Sequence, residues 1–353
     1  MSSGPVGGEE RANQRPLAPS RFIRETLPQP GGMRHRPALV KRAREAIRDG
    51  SKSFAAASTL FDRQTRERVW LLYAWCRRCD DLADGQELGG ELGDQSDIEN
   101  RLKAIRVLTA RALDGQPTAD PAFDAFGLVA KECGITSAMA DDVIAGFALD
   151  AAGWRPREEG DLMQYCYHVA GAVGVMMAVV MGVSPRDDAT LDRACDLGLA
   201  FQLANIARDV AEDDAAGRCY LPIEWLAEVD IPPGQHMKPP FRPRLVSLVD
   251  RLVSQSRLHE NAARAGARRL AFRQRWAVLS AAGIYGAIAT RVRARGEAAW
   301  DSRVHTSGLA KLGFVAKAFV EALLPAKGVE ELPCWSRREL AERARANGVN
   351  SQP

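Results

Sequence analysis

Between about Pro37 and Pro333, apolar residues recur at the 3.6-residue period of an α-helix in almost every segment. Alternating Val/Ile/Thr runs bounded by turn residues are missing. Such a chain can bury its apolar stripes only by packing helix on helix, so an all-α fold is expected. Breakers divide the pattern at Asp114-Gly115-Gln116-Pro117, Gly153-Trp154-Arg155-Pro156 and Ser184-Pro185. A further stretch, Asp230 to Pro243, holds five prolines. It reads as a loop inside one bundle, because the helical patterns on its two sides look like halves of a single body. The expected organisation is a disordered Pro/Gly/Arg-rich arm over 1–37, a single helical domain over 38–325 with its Pro-rich loop at 230–243, and a flexible charged tail over 326–353.

A length of 353 residues with 46% hydrophobic and 26% charged content suits a globular enzyme with a sizeable core. The arm lacks the apolar segment of a signal peptide. The most apolar run, Val169 to Val183, is about 15 residues where a membrane span needs roughly 20, so it reads as a buried core helix. Seven scattered cysteines do not form the framework of a small secreted domain, and a reducing cytoplasm is expected. Cys76 and Cys79 form a C-x-x-C without a second pair or nearby His, and are read as helix packing. A net charge of +3 does not call for a nucleic-acid partner. Between Arg257 and Arg295, however, nine arginines stand against one acid, Glu260. That stretch reads as a solvated face, or as a surface drawn to anionic headgroups or a diphosphate, and reversible association with a membrane surface is expected from it.

Two acidic motifs carry the chemistry. In Tyr73-Ala74-Trp75-Cys76-Arg77-Arg78-Cys79-Asp80-Asp81-Leu82-Ala83-Asp84, helical spacing lines up Tyr73, Arg77, Asp80 or Asp81, and Asp84. In Gln202-Leu203-Ala204-Asn205-Ile206-Ala207-Arg208-Asp209-Val210-Ala211-Glu212-Asp213, the four-residue step recurs at Asn205, Asp209 and Asp213. Like charges at i and i+4 destabilise a helix by a few tenths of a kcal/mol, so two such pairs on apolar helices ask for a use. Magnesium supplies one: it takes carboxylate and phosphate oxygens, and two facing D-x-x-x-D helices could clamp a diphosphate through it. The neighbouring arginines would complete the anion site. Asp141-Asp142 and Asp187-Asp188 lack such company and read as a helix surface and a turn.

With these motifs the sequence resembles the squalene and phytoene synthase family, most of all its bacterial phytoene-synthase members. Three segments carry the resemblance: Ser51-Lys52-Ser53-Phe54 with the Tyr73 to Asp84 motif; Tyr165-Cys166-Tyr167-His168-Val169-Ala170-Gly171-Ala172-Val173-Gly174; and Leu197-Gly198 through Asp213 to Arg218-Cys219-Tyr220-Leu221-Pro222. It runs from about Arg44 to Phe319, with the motifs in family order. The resemblance implies an isoprenoid synthase type I bundle around a central cavity. It further implies that Asp80, Asp81, Asp84, Asn205, Asp209 and Asp213 hold metal ions, with Gln202 beside them. Around the diphosphates it places Ser51, Ser53, Phe54, Tyr73, Arg77, Arg208, Tyr285 and Arg303, and near the reacting carbons Tyr165. Some relatives have His where this chain has Gly50.

The reaction so implied joins two geranylgeranyl diphosphates head to head, through a cyclopropyl diphosphate, to phytoene, the first committed step of carotenoid synthesis. Magnesium or manganese is the implied cofactor, without NADPH. ATP dependence without hydrolysis is ascribed to some bacterial members, although no P-loop is present. The enzymes that next act on a carotenoid precursor become candidate partners. Two alternatives stay open: a farnesyl-using squalene or dehydrosqualene synthase, and a non-catalytic helical assembly protein. Carbocation chemistry needs a dry apolar cavity, and the small residues Ala170, Gly171, Ala172 and Gly174 leave room for an isoprenoid chain or simply permit close helix packing.

Overall fold

In the computed structural model, residues 34–85, 97–324 and 333–349 are described, and they contain helices and turns without a strand. The first half comprises α1 (Arg36–Gly50), α2 (Lys52–Ser58), α3 (Arg63–Asp84), α4 (Ile98–Leu113), α5 (Pro121–Cys133), α6 (Ser137–Ala151), α7 (Glu159–Cys166) and α8 (Ala172–Val180). The second comprises α9 (Asp188–Ala215), α10 (Ile223–Glu228), α11 (Arg242–Gly266), α12 (Phe272–Arg295), α13 (Gly308–Leu323) and α14 (Arg337–Val349).

Local chemistry sets the boundaries. Asp62, Asp120, Thr136, Asp187 and Ser307 cap α3, α5, α6, α9 and α13 by accepting hydrogen bonds from backbone N–H groups of the first turn. Gly85 and Gly134 end α3 and α5 in the left-handed conformation, with φ of 66° and 77°. Asp187 is thus a cap, and Asp188 opens the helix. The Pro-rich loop is shorter than 230–243 suggests, since a 3₁₀ turn at Pro239–Phe241 runs into α11 at Arg242.

The long helix α9 is the axis of the bundle. It buries Leu191, Leu199, Leu203, Ile206 and Val210 and packs on α8, α11 and α12, while α3 packs on α1 and α5. Two glycines let α9 approach its neighbours. A Cβ on Gly174 of α8 would lie 2.4 Å from the Ala194 carbonyl oxygen, and one on Gly198 would lie 2.2 Å from that of Ala170. Between α7 and α8 the chain adds a π-helical turn, Tyr167–Gly171. It widens the helix where its side chains face the cavity, a feature common at functional sites. The run from Glu159 to Val180 is long and apolar enough to cross a membrane, but most of it is buried among its neighbours, so it serves as a core helix.

Three expectations need correction. The segment expected as a flexible tail includes α14, which is docked: Leu340 is buried, and Arg337 pairs with Asp188 at 2.6 Å and Asp192 at 2.7 Å. Arg343 reaches Asp161 at 3.0 Å and Trp335 donates to Glu159 at 3.2 Å, so charge complementarity ties this polar helix to α7 and α9. Asp142, expected on a surface, accepts a 2.7 Å hydrogen bond from the Tyr167 hydroxyl. The basic stretch is also not one face. Arg264 pairs with Glu260 and Glu321, Arg293 with Asp250, and Arg275 donates to the Ala322, Arg268 and Leu270 carbonyls. The arm before residue 34 lies outside the described residues.

Candidate active site

A cavity of about 780 Å³ lies against both acidic helices, lined by Asp80 and Asp84 of α3 but, on α9, by Gln202. Asp209 and Asp213 do not line it, and Asp213 instead borders a separate small space with Arg218 and Tyr220. From the first half of the chain Ser51, Phe54, Tyr73, Cys76, Arg77, Asp80 and Asp84 line the larger cavity; from the second, Gln202, Arg218, Tyr220 and Tyr285. Phe54, Val169, Val173, Gln202 and Tyr285 also border a deeper space of about 320 Å³, whose walls are mainly apolar: Phe61, Met177, Ala194, Leu197, Phe201, Leu270 and Ala277, with Asn205 near the polar end. The arrangement is an acidic mouth leading to an oily interior.

Within α3, Asp80 and Asp84 face the cavity one turn apart. Arg77 bonds Asp80 at 2.8 Å and Asp81 at 3.0 Å. Asp81 is only 5% exposed and is turned behind Arg77, so it braces the arginine and does not line the cavity. Desolvation, reinforced by Asp84 and Asp81, raises the Asp80 carboxyl to about 6 against the pull of Arg77. Within α9, Asp209 accepts from both Nε and Nη2 of Arg208 and is met at 3.0 Å by Arg303. Asp213 is raised to about 7 by desolvation and by Asp209, with Arg218 opposing.

Sequence reasoning missed the group that joins the two helices. Arg218 reaches Asp84 at 3.3 Å and also lies within electrostatic range of Asp213 and Asp150. Asp150, at the end of α6, accepts hydrogen bonds from the Tyr165 hydroxyl at 3.0 Å and the Tyr220 hydroxyl at 3.0 Å. Burial raises its carboxyl, and those two hydroxyls oppose the shift. Trp154, Tyr165 and Tyr220 stack successively with centroids 5.7 and 4.8 Å apart. Tyr165 therefore presents a ring to the cavity while its hydroxyl is occupied.

The remaining expected residues fall into place around this mouth. Ser51 caps α2 through the Phe54 N–H at 3.3 Å, and Phe54 stacks on Tyr73 at 5.7 Å. Tyr285 stacks on Phe201 at 4.0 Å. The Ser53 side chain lies outside the described residues. At Gly50, an added Cβ would sit 2.6 Å from the Tyr73 hydroxyl, so the phenol occupies the space where a side chain at 50 would begin. Cys76 and Cys79 are free thiols, with burial pushing the Cys76 thiol up to about 12.

Among the described residues no cluster of three His, Cys, Asp or Glu side chains forms a ready-made ion cage. The carboxylates fit hard divalent ions in another way. Burial first, and neighbouring carboxylates second, disfavour the ionised forms of Asp80 and Asp213, so a hard cation beside them would offset both, with phosphate oxygens as further ligands.

A bundle that is strand-free among the described residues, with acid-bearing helices beside a cavity that leads to an apolar space, is of the terpenoid-synthase type. The sequence pattern of the squalene/phytoene synthase family matches residues 47–310, and the chain belongs to that family. A phytoene synthase of Pseudescherichia vulneris is 45% identical over 284 residues, covering 80% of this chain and 91% of that protein. A 15-cis-phytoene synthase of Pantoea ananas is 44% identical, covering 81% and 93%. A crystal structure of a dehydrosqualene synthase in complex with ligand superposes with a TM-score of 0.71 at 26% identity, over 81% of this chain and 97% of that one.

Proposed function

We propose that this protein condenses two geranylgeranyl diphosphates head to head to phytoene, as a divalent-metal-dependent prenyltransferase. The observation that carries the reading is a cavity with Asp80 and Asp84 at its mouth that shares Phe54, Val169, Val173, Gln202 and Tyr285 with an apolar space, in a chain 44–45% identical to two bacterial phytoene synthases. Asp80 and Asp84 from α3 and Asp209 and Asp213 from α9 would hold magnesium or manganese. Such ions, when bound, neutralise a leaving diphosphate as Lewis acids. Arg218 supports the same end of the site by bridging toward both acidic helices. The interior formed by Val169, Val173, Met177 and Phe201 keeps the polyprenyl chains and their cations from water. The Phe54 ring, which borders both spaces, can favour a passing cation by roughly 0.5–2 kcal/mol, whereas Tyr165 is stacked between Trp154 and Tyr220. A place in the cytoplasm, against the inner face of the membrane, suits the lipophilic substrate and product.

The purified protein with geranylgeranyl diphosphate and magnesium or manganese, without NADPH, should accumulate phytoene, and added NADPH should leave rate and product unchanged. Farnesyl diphosphate should be turned over poorly. A hydrocarbon with a saturated central bond, formed only with NADPH, would place the enzyme in the reductive branch. A second test concerns Arg218→Gln. The substitution removes the positive charge that meets Asp84 at 3.3 Å and opposes the upward shift of Asp213, and a charge-assisted contact of this kind contributes about 1.5–3 kcal/mol. The KM for the diphosphate should rise roughly tenfold or more, and steady-state kinetics at saturating magnesium would read it.

A further inference from the structure

Helix α13 has one buried and one uncovered side. Ala318 and Ala322 pack toward Leu279 of α12 and Ala267, and Trp276 Nε1 donates to the Val315 carbonyl at 2.8 Å. The other side carries Leu309, Leu312, Val320 and Leu323 at 85, 66, 55 and 63% exposure, followed by Leu324. Leu309 and Leu312, and Val320 and Leu323, are three residues apart, and the exposed Ala316 fills the eight-residue gap between the pairs at four-residue steps, so all share one face. Phe319 extends it onto the start of α12, meeting Phe272 at 5.6 Å and Trp276 at 5.2 Å. Contiguous exposed apolar surface of this kind marks an interaction site.

The rim says which kind. Lys317 is exposed on α13, Arg268 and Arg269 on the turn leading into α12, and Arg273 on the first turn of α12. The acid of α13, Glu321, points away from the stripe and pairs with Arg264 at 2.8 Å. A second copy docking here by two-fold symmetry would set this cationic rim against itself. An anionic bilayer would satisfy both parts, taking leucine and phenylalanine side chains below the headgroups and arginine and lysine among them.

We propose that the outer face of α13, with Phe272, seats the protein on an anionic lipid surface. The position has a consequence for traffic, which rests on the function proposed above. Ala267 and Leu270, which wall the deep apolar space, belong to the same turn as Arg268 and Arg269. The oily end of the cavity therefore lies beside the docking face, and a long hydrocarbon could pass between the two without crossing bulk water.

The test uses the full chain, its Leu312→Ser/Leu323→Ser variant, and vesicles of phosphatidylcholine with or without phosphatidylglycerol. The wild type should sediment with the anionic vesicles at low salt, release as salt rises, and bind neutral vesicles poorly. The variant should bind the anionic vesicles roughly tenfold more weakly while keeping wild-type turnover in detergent micelles. Absence of wild-type binding at low salt, or equal binding by the variant, overturns the proposal. So does a concentration-dependent dimer in analytical ultracentrifugation that the variant abolishes, since that would assign the face to a second copy. Vesicle binding by a wild type that turns over no prenyl diphosphate supports the docking face and overturns only the functional reading.

Discussion

Asp80→Asn is expected to lower turnover of geranylgeranyl diphosphate by roughly 100-fold or more while leaving thermal stability unchanged or slightly higher. The first half follows from the ligand chemistry: the amide keeps the shape but removes a hard anionic oxygen, and even the outer partners of metal ligands are worth about 10–100-fold. The second half follows from the sign of the pKa shift. Burial and the neighbouring Asp84 and Asp81 raise Asp80 to about 6 in the folded protein, above the ordinary carboxylate value. A carboxyl raised by folding binds more protons in the native state, so its ionisation costs stability as pH rises from the unfolded value through about 6. At neutral pH the amide removes that cost. Asp209→Asn should lose activity to a similar degree without the stabilising effect, because Arg208 and Arg303 both bond its carboxylate. Circular dichroism melts and pyrophosphate release, measured on the same samples, read both quantities. Near wild-type rates in both variants would refute the acidic clamp.

The parts of this site that local spacing encodes were legible in the sequence. The four-residue steps in Tyr73 to Asp84 put Arg77, Asp80 and Asp84 on the cavity side of α3, while Asp209 and Asp213, also one turn apart, stand outside the cavity lining, with Arg218 between Asp213 and Asp84. Asp81 shows the limit of the same reasoning. One residue is about 100° of helix, enough to turn it from the cavity into contact with Arg77. Asp150 was not legible, because its partners Tyr165 and Tyr220 lie 15 and 70 positions away and join it only through the fold. The π turn at Tyr167–Gly171 also leaves no periodic mark. For α14, the anchoring acids Asp188 and Asp161 are 149 and 182 positions from Arg337 and Arg343. The nine arginines of the basic stretch illustrate the converse: adjacency in sequence did not make one face, since Arg264, Arg275 and Arg293 are engaged within the protein while Arg268, Arg269 and Arg273 stay exposed beside α13.

Gly198→Ala is expected to destabilise the protein by about 1–3 kcal/mol, against the usual sign for this exchange inside a helix. In an ordinary helix interior, alanine is favoured over glycine by roughly 1 kcal/mol. At Gly198 the added Cβ would meet the Ala170 carbonyl oxygen at 2.2 Å, its carbon at 2.6 Å and Gly171 Cα at 2.8 Å. All three are backbone atoms, so no side-chain rotation relieves the contact, and α9 must move away from the π turn. Overpacking of this kind costs about 1–3 kcal/mol and sometimes more. The same displacement shifts Gln202 and Asn205, one and two turns further along α9, relative to Val169 and Val173 across the cavity, so activity should fall with stability. Gly283 supplies the control: its added Cβ would meet only the Phe314 side chain, at 3.1 Å, and a ring at the partly exposed α12–α13 contact can yield by a few tenths of an ångström. Gly283→Ala should therefore melt within about 0.5 kcal/mol of wild type. Urea denaturation of the three proteins side by side distinguishes the cases. A Gly198→Ala midpoint equal to wild type would show that the close crossing of α9 and the π turn is not what fixes the cavity wall.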